Sequence, residues 1–401
     1  MSVKYIIVAI QYIALRADME KLLYQSPGIT KYDLDTPALM VDIDLVDKNI
    51  QTYHAIAATK HVSVLAYPSI HGSLAITKRQ LNATNVLSSI CCNSISEIEA
   101  FQSLNISDVI LKNTPVTPSQ AKRLSLLTKI INISIVVTHQ RHLEILEESL
   151  GELTTSVGIL LHVNCGDMIS GIQNKEQLKS MVDSIKNSKK LNFIGLSTEF
   201  SEYKKYTGIN PLLDANATTN EPNDIEIQYM KLLDFASAVP VSGYLNIIVF
   251  GENNINTLPN SNIITAIVAG CYPIPDINAL KSIPQLIISA SVLSQIISKA
   301  PSNYIVIDSG HKTYGTDLGL PTIYRDPSRP FTSYLNPEKF SAEHGCLSFP
   351  AGNASDIEIK SKIELIPQSM ELCINQFDFM RFITKGIFTG YMPIVNRGQF
   401  S

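Results

Sequence analysis

The stretch VSVLAYPSIHGSLAITKRQL, residues 62–81, decides how the chain is read. Val62 to Tyr67 is a short run of apolar, strand-favouring residues, Pro68 and Gly72 interrupt it, and a helix-like segment follows. A strand that turns into a helix is half of a βαβ unit. In an α/β barrel the end of such a strand is where a catalytic side chain projects, and Ser69 stands there with His71 two residues on.

The unit recurs along the chain. Val, Ile and Leu-rich runs fall at 62–67, 86–90, 108–111, 132–137, 157–163, 192–197, 245–250 and 263–268, separated mostly by stretches of helical spacing such as SEIEAFQSL and QRHLEILEESL. Alternating strands and helices with right-handed crossovers build a parallel sheet, and eight units most simply close into a (β/α)8 TIM-type barrel; a doubly wound open sheet is the alternative. Past about residue 280 the strands crowd together in QLIISASVLSQIIS, NYIVIDSG, SKIELIP and FMRFITKGIFTGYMPIV, which predicts a mainly antiparallel β domain. The expected organisation is an N-terminal, helical extension at 1–32, the barrel over 33–280 and the β domain over 281–401. The strand at 37–43 is assignable to the barrel span or to the β domain, and Pro273 to Asp276 reads as the connector. The polar segment 201–224 is long for an ordinary connection and reads as a lid or an insertion.

Composition narrows the function. The 401 residues are 45% hydrophobic and 17% charged with a net charge of -4 and no basic stripe, which argues against nucleic-acid binding. The apolar run from Tyr5 to Leu15 is about half the length of a membrane span, so no membrane association is expected. A signal peptide is the other reading of that run, but Arg16, Asp18 and Glu20 follow at once, and a packed helix is preferred. Six scattered cysteines without a C-x-x-C pair read as free thiols, consistent with a cytoplasmic protein.

Six stretches carry a family resemblance: DLDTPALMVDIDLVDKNI (33–50), CCNSISEIEAF (91–101), DVILKN (108–113), IDSGHKTYGTDLGLP (307–321), AEHG (342–345) and PIVNRGQ (393–399). Together they resemble the D-threonine aldolase and D-serine dehydratase-like family of alanine-racemase-type, fold-type III pyridoxal-phosphate (PLP) enzymes. The resemblance implies a homodimer, PLP held as an imine by a lysine at the end of the first barrel strand, and a divalent metal near the C-terminus.

Several residues depart from that pattern. Ungapped register through ITKRQL places Ser69 at the lysine position and His71 at a histidine position. A hydroxyl cannot condense with an aldehyde to an imine. Lys60 lies at the opposite barrel face and Lys78 more than two helical turns beyond, so neither substitutes. Ile169 stands at a cofactor-contacting arginine position. In VFGENNINT (249–257) Gly251 alone survives of a phosphate-cradling glycine loop, and Glu252, with Asn253 and Asn254, brings a carboxylate towards the phosphate position. Gly270, Tyr272 and Asp276 still match, Tyr67 at the first strand end is a further vestigial cofactor position, and the two metal positions fall on Ser369 and Glu371. No PLP and no metal are therefore expected, with a small-molecule ligand in the barrel mouth left open.

Each candidate has a structural reading beside the functional one. His71 and His162 read as hydrogen-bonded structural histidines, and Tyr67 as packing. Asp308, His311, Lys312, Asp317 and His344 read as a turn network. Cys91 and Cys92 read as buried small hydrophobes on opposite faces of their strand. No nucleophile elbow, Walker loop, zinc-protease helix or dinucleotide fingerprint occurs. The preferred reading is a non-catalytic or repurposed relative; the alternatives are an active D-amino-acid lyase or aldolase with an unusual site, and a Ser/His or metal-dependent hydrolase in the old cavity.

Overall fold

A computed structural model describes residues 25–151, 156–166, 170–200, 225–239, 245–260, 262–300, 303–351 and 357–400. The N-terminal apolar run, Ile169 and the segment 201–224 lie outside the described residues.

Eight parallel strands close into a barrel: β2 (Ser63–Ala66), β3 (Val86–Cys92), β4 (Asp108–Leu111), β5 (Asn132–Val137), β6 (Val157–His162), β7 (Leu191–Glu199), β8 (Asn246–Phe250) and β9 (Ala266–Ala269). Closure is made by β2 pairing with β9, Ser63 to Ala66 opposite Ala266 to Ala269. The eight apolar runs of the sequence are these strands, and the open-sheet alternative is excluded by the ring of pairings. The last barrel strand begins at Ala266 rather than 263; just before it, Thr265 donates both its hydroxyl and its amide to the Ile247 carbonyl of the neighbouring strand β8.

Side-chain alternation sorts the core into two layers. Leu65, Cys91, Ile110, Val136, Leu160, Ile248, Phe250 and Val268 point to the barrel axis and pack on one another. Their neighbours Val64, Ala66, Ile90, Cys92, Leu111, Val137 and Leu161 face outward to the helices. Cys91 and Cys92 thus sit on opposite faces, both buried, and burial pushes the Cys91 thiol up to about 12.

The helices start on short polar side chains at the strand ends. Ser73 accepts from Ile76 at the start of α2 (Leu74–Leu81), Ser94 accepts from Glu97 at the start of α3 (Ile95–Phe101), and Thr117 forms a capping box ahead of α4 (Pro118–Leu127). Ahead of the barrel, α1 (Ile43–Thr59) is capped by Asp42.

The second sheet is mostly antiparallel and built from nine strands. Its centre is β10 (Ala290–Ala300), and it also takes β1 (Ala38–Asp42), which runs antiparallel to β10 and parallel to β16 (Phe379–Thr384). The strand at 37–43 is therefore a member of this sheet, not of the barrel. The last strand, β17 (Ile387–Pro393), leads into residues 394–400, which return to the barrel: Val395 N–H donates to the Gly72 carbonyl at 2.9 Å. No helix among the described residues is long and apolar enough to cross a membrane.

Candidate active site

Beyond β2 the chain makes one 3-10 turn, Pro68–Ile70, before α2. This turn holds Ser69 7% exposed at the barrel mouth. The Ser69 hydroxyl donates to Glu97 Oε2 at 2.6 Å, from the first turn of α3. The same oxygen accepts the Asn93 N–H at 2.7 Å. From the C-terminal segment, Asn396 Nδ2 donates to the Ser69 carbonyl at 2.8 Å and to Glu97 Oε1 at 3.2 Å. Glu97 is thus a buried carboxylate held by three donors from three parts of the chain, an arrangement that offsets the cost of enclosing its charge. Gly72 completes the joint. At its φ of +62° a Cβ would come 2.0 Å from Asn396 Oδ1, so the returning C-terminal segment closes on a glycine.

His71 is not joined to Ser69. Its Nδ1 accepts the Ser73 N–H at 3.1 Å, which leaves Nε2 to donate to Gln80 Oε1 at 3.0 Å. Burial lowers its pKa to about 4, and the ring is a neutral fixture under the turn. A Ser69–His71 couple of the hydrolase type is not made.

Ser69, Tyr67, Asn93, Glu97, Asn396 and Glu371 line one cavity of about 590 Å³ between the barrel mouth and the second sheet's helix α10 (Met370–Ile374). Loss of hydration, then the facing Glu97 charge, raises the Glu371 carboxyl above its ordinary value. Tyr67 donates its phenol to Asn93 at 2.5 Å. The sequence reading missed Asn93, Glu97 and Asn396 in this cavity, and also Lys112, directly after β4. Its ammonium lies 4.6 Å from the Phe250 ring centre and 5.8 Å from that of Tyr67, and 3.6 Å from Glu199. Among the described lining residues it is the sole cation. Lys60, which the sequence reading weighed as a substitute and set aside, binds the Leu258 carbonyl, whereas Lys112, which it did not weigh, shares the Ser69 cavity.

The phosphate-side positions sit one strand away. Glu252, in the 3-10 turn Glu252–Asn254 after β8, turns its carboxylate onto the amides that follow β9. Gly270 N–H donates to Oε2 at 2.7 Å, and Cys271 N–H reaches Oε2 at 2.9 Å and Oε1 at 3.0 Å. Burial nevertheless pushes this carboxyl up to about 7, the amide bonds and the nearby Asp276 charge modifying it. Tyr272 does not face a ligand: its hydroxyl meets His54 Nε2 at 2.9 Å while Thr84's carbonyl takes the other ring nitrogen at 2.7 Å, and its ring stacks on Tyr53 at 4.3 Å. Asp276 caps α8 (Ile277–Ser282) through Ala279 and also accepts the Met370 N–H at 3.3 Å. Asn254 donates to the Phe200 carbonyl at 2.8 Å, and the Asn253 side-chain oxygen is buried without a hydrogen-bond partner.

The remaining candidates are structural. Ser369 caps α10, its Oγ accepting from Leu372, so of the two metal positions Glu371 alone lines the cavity. Among the described residues no group of three or more His, Cys, Asp or Glu side chains is placed to hold a metal. His162 is buried, meets Ser197 at 3.2 Å, and is lowered to about 4 by burial and the Lys112 charge. Asp308 accepts from Thr36 and from the Gln295 amide, while His311 and His344 are exposed and Lys312 pairs with Glu343. These side chains serve the second sheet and do not reach Ser69's cavity.

Comparison with known proteins agrees with this architecture. Residues 41–243, just over half of the chain, match the profile of the alanine racemase N-terminal domain, and residues 289–383 match that of a serine dehydratase domain. A 3-hydroxy-D-aspartate aldolase from Paracoccus denitrificans is 24% identical over 93% of this chain and 95% of its own length. A D-threonine aldolase from an Arthrobacter species is 22% identical over the same shares. Among solved structures, D-threonine aldolase from Filomicrobium marinum superposes with a TM-score of 0.76 at 21% identity, covering 94% of this chain and 100% of that one. D-threo-3-hydroxyaspartate dehydratase from Delftia sp. HT23 gives 0.72 at 15% identity, covering 91% and 98%. The chain belongs to the alanine racemase N-terminal-domain family, in the arrangement that joins this barrel to a serine dehydratase domain.

Proposed function

We propose that this protein keeps the barrel of its PLP-dependent family as a small-molecule binding site and does not carry out the family's imine chemistry. The observation that carries the reading is Ser69. It occupies the strand end where the family resemblance puts the Schiff-base lysine, and its hydroxyl is committed to Glu97 at 2.6 Å. A hydroxyl offers no nitrogen for an imine. The residues around it do not fit PLP on a second count, because the amides of Gly270 and Cys271 already carry the Glu252 carboxylate. The cavity over Ser69 is lined by Lys112, Glu97 and Glu371, a polar lining suited to a small ligand with both charged and hydrogen-bonding groups. Supplying PLP to the purified protein and scanning for an absorption band that borohydride bleaches tests this. No such band is expected, and its appearance overturns the reading.

Lys112 supports a second reading, an enzyme with a relocated amine. Its Nζ opens on the Ser69 cavity beside two aromatic rings and is the amine there that can condense with a carbonyl carbon. Borohydride trapping followed by peptide mapping decides: a reduced adduct on Lys112, lost in Lys112→Ala, favours the enzyme. Homodimer formation, which the family resemblance implies, is part of the proposal and is measured by sedimentation equilibrium.

A further inference from the structure

The unassigned feature with the most bonds behind it is the Glu252 carboxylate. Three N–H contacts of 2.7 to 3.0 Å reach it from Gly270 and Cys271, two successive residues at the end of a barrel strand. Successive backbone amides turned to one point form an anion cup, and a cup enclosed by protein requires an acceptor. Here the chain supplies its own. The backbone that delivers the side chain is fixed on several sides. Gly251 has a φ of +99°, and a Cβ on it would lie 2.3 Å from the Phe200 carbonyl. Asn254 bonds that same carbonyl, and the Tyr53 hydroxyl donates to the Glu252 carbonyl at 3.1 Å. The receiving side is as tight, since a Cβ on Gly270 would lie 2.0 Å from the Tyr67 carbonyl, in the turn that carries Ser69.

We propose that Glu252 is a built-in carboxyl occupant of the amide cup after β9, so that the barrel mouth takes ligands lacking a phosphate group. This rests on the reading of the barrel as a site that has left PLP chemistry, and it adds which ligands remain. A phosphorylated molecule entering the cup must displace the carboxylate from the amides and then share the space with it, and like charges at contact distance in a partly dehydrated site repel strongly. Among the described residues no cation is placed to relieve that repulsion. The titratable groups facing Glu252 are Tyr53, Cys271, Tyr272 and Asp276, all neutral or negative.

Isothermal titration with inorganic phosphate tests the proposal on wild type, Glu252→Gly and Glu252→Gln. Removing the side chain is expected to tighten phosphate binding by on the order of tenfold or more. Glu252→Gln still fills the cup but carries no charge, and is expected to gain less than Glu252→Gly. A folded Glu252→Gly without gain, or an equal gain in Glu252→Gln, overturns the proposal. If Glu252→Gly does not fold, wild type and Glu252→Gln still decide through the 15N-labelled amides of Gly270 and Cys271. Their shifts are expected to follow one carboxyl titration in wild type and stay flat in the variant; flat shifts in wild type overturn it. A bleachable imine in the wild type would sink the reading of Ser69 instead, and the phosphate comparison separates the two failures.

Discussion

Replacing Ser69 with alanine tests the joint on which the barrel mouth is built. The hydroxyl is one of three donors to a carboxylate only 6% exposed, at 2.6 Å, with the Asn93 amide at 2.7 Å and Asn396 Nδ2 at 3.2 Å. A hydrogen bond to a charged group contributes about 1.5–3 kcal/mol, against about 1 kcal/mol for one between neutral partners. Ser69→Ala is therefore expected to lower the unfolding free energy by about 1.5–3 kcal/mol, because Glu97 keeps its burial and loses its shortest donor. In a Glu97→Gln background the same change should cost only about 0.5–1.5 kcal/mol, giving a coupling near 1 kcal/mol in the double-mutant cycle. The chain has no tryptophan, so urea titration followed by far-UV circular dichroism is the suitable assay, with variants compared at a common slope. A cost below about 0.5 kcal/mol, or an identical cost in both backgrounds, refutes the claim that this hydroxyl serves a buried carboxylate.

Three further outcomes are expected. Gly270→Ala should lose about 2–3 kcal/mol or fail to fold, because its Cβ meets the Tyr67 carbonyl at 2.0 Å and neither backbone can retreat; a thermal midpoint equal to wild type contradicts this. Stability should fall as pH drops from about 6.5 to about 4: the folded pKa values of His71 and His162 are both depressed to about 4, so the unfolded chain binds more protons in that window, at up to about 3 kcal/mol for each. Glu252, raised from 4.5 to about 7, acts in the opposite sense, its contribution being full below 4.5 and lost as pH rises through 7; two histidines outweigh one carboxyl, and urea midpoints that rise on acidification to pH 4.5 would show the ranking to be wrong. Ser69→Lys alone should not yield a stable PLP imine, because its ammonium lands beside Glu97 and the cup stays filled by Glu252; an imine trapped by borohydride at position 69 would refute this.

The eight barrel strands were legible because parallel strands are buried on both faces and therefore read as unbroken apolar runs. The opposed placement of Cys91 and Cys92 followed from the two-residue period alone. What the sequence hid lies past the strand ends, where the period stops and partners are non-local. Glu97 is 28 residues from Ser69, and Glu252 is 18 from Gly270, so neither bond has a local signature. Glu252 was foreseen as repelling a phosphate but not as accepting from the amides of Gly270 and Cys271. Lys112 had a readable signal that went unused. Ile110 points to the barrel axis, so a lysine two residues later, at the C-terminal end of the same strand, is set to project over the mouth.

If the mouth has left PLP chemistry, as proposed, two of its departures from the family pattern, Ser69 and Glu252, come with a local partner for the groups around them. A buried donor or acceptor left without a partner costs about 1–3 kcal/mol, so the loss of a cofactor from an unchanged site would leave several such groups exposed to that cost. Here the amides of Gly270 and Cys271 are met by Glu252, and the Glu97 carboxylate is met by Ser69 and Asn396. On that reading, stability alone would account for both pairings. It does not account for Lys112, whose ammonium stands 3.6 Å from Glu199 in a cavity of about 590 Å³ that also holds Glu97 and Glu371. Filling that space with larger apolar side chains would stabilise the fold more than keeping a lysine's charge partly dehydrated there. If the mouth binds a small molecule, as proposed, Lys112, the sole cation among the described lining residues, is the residue on which that ligand would be expected to depend.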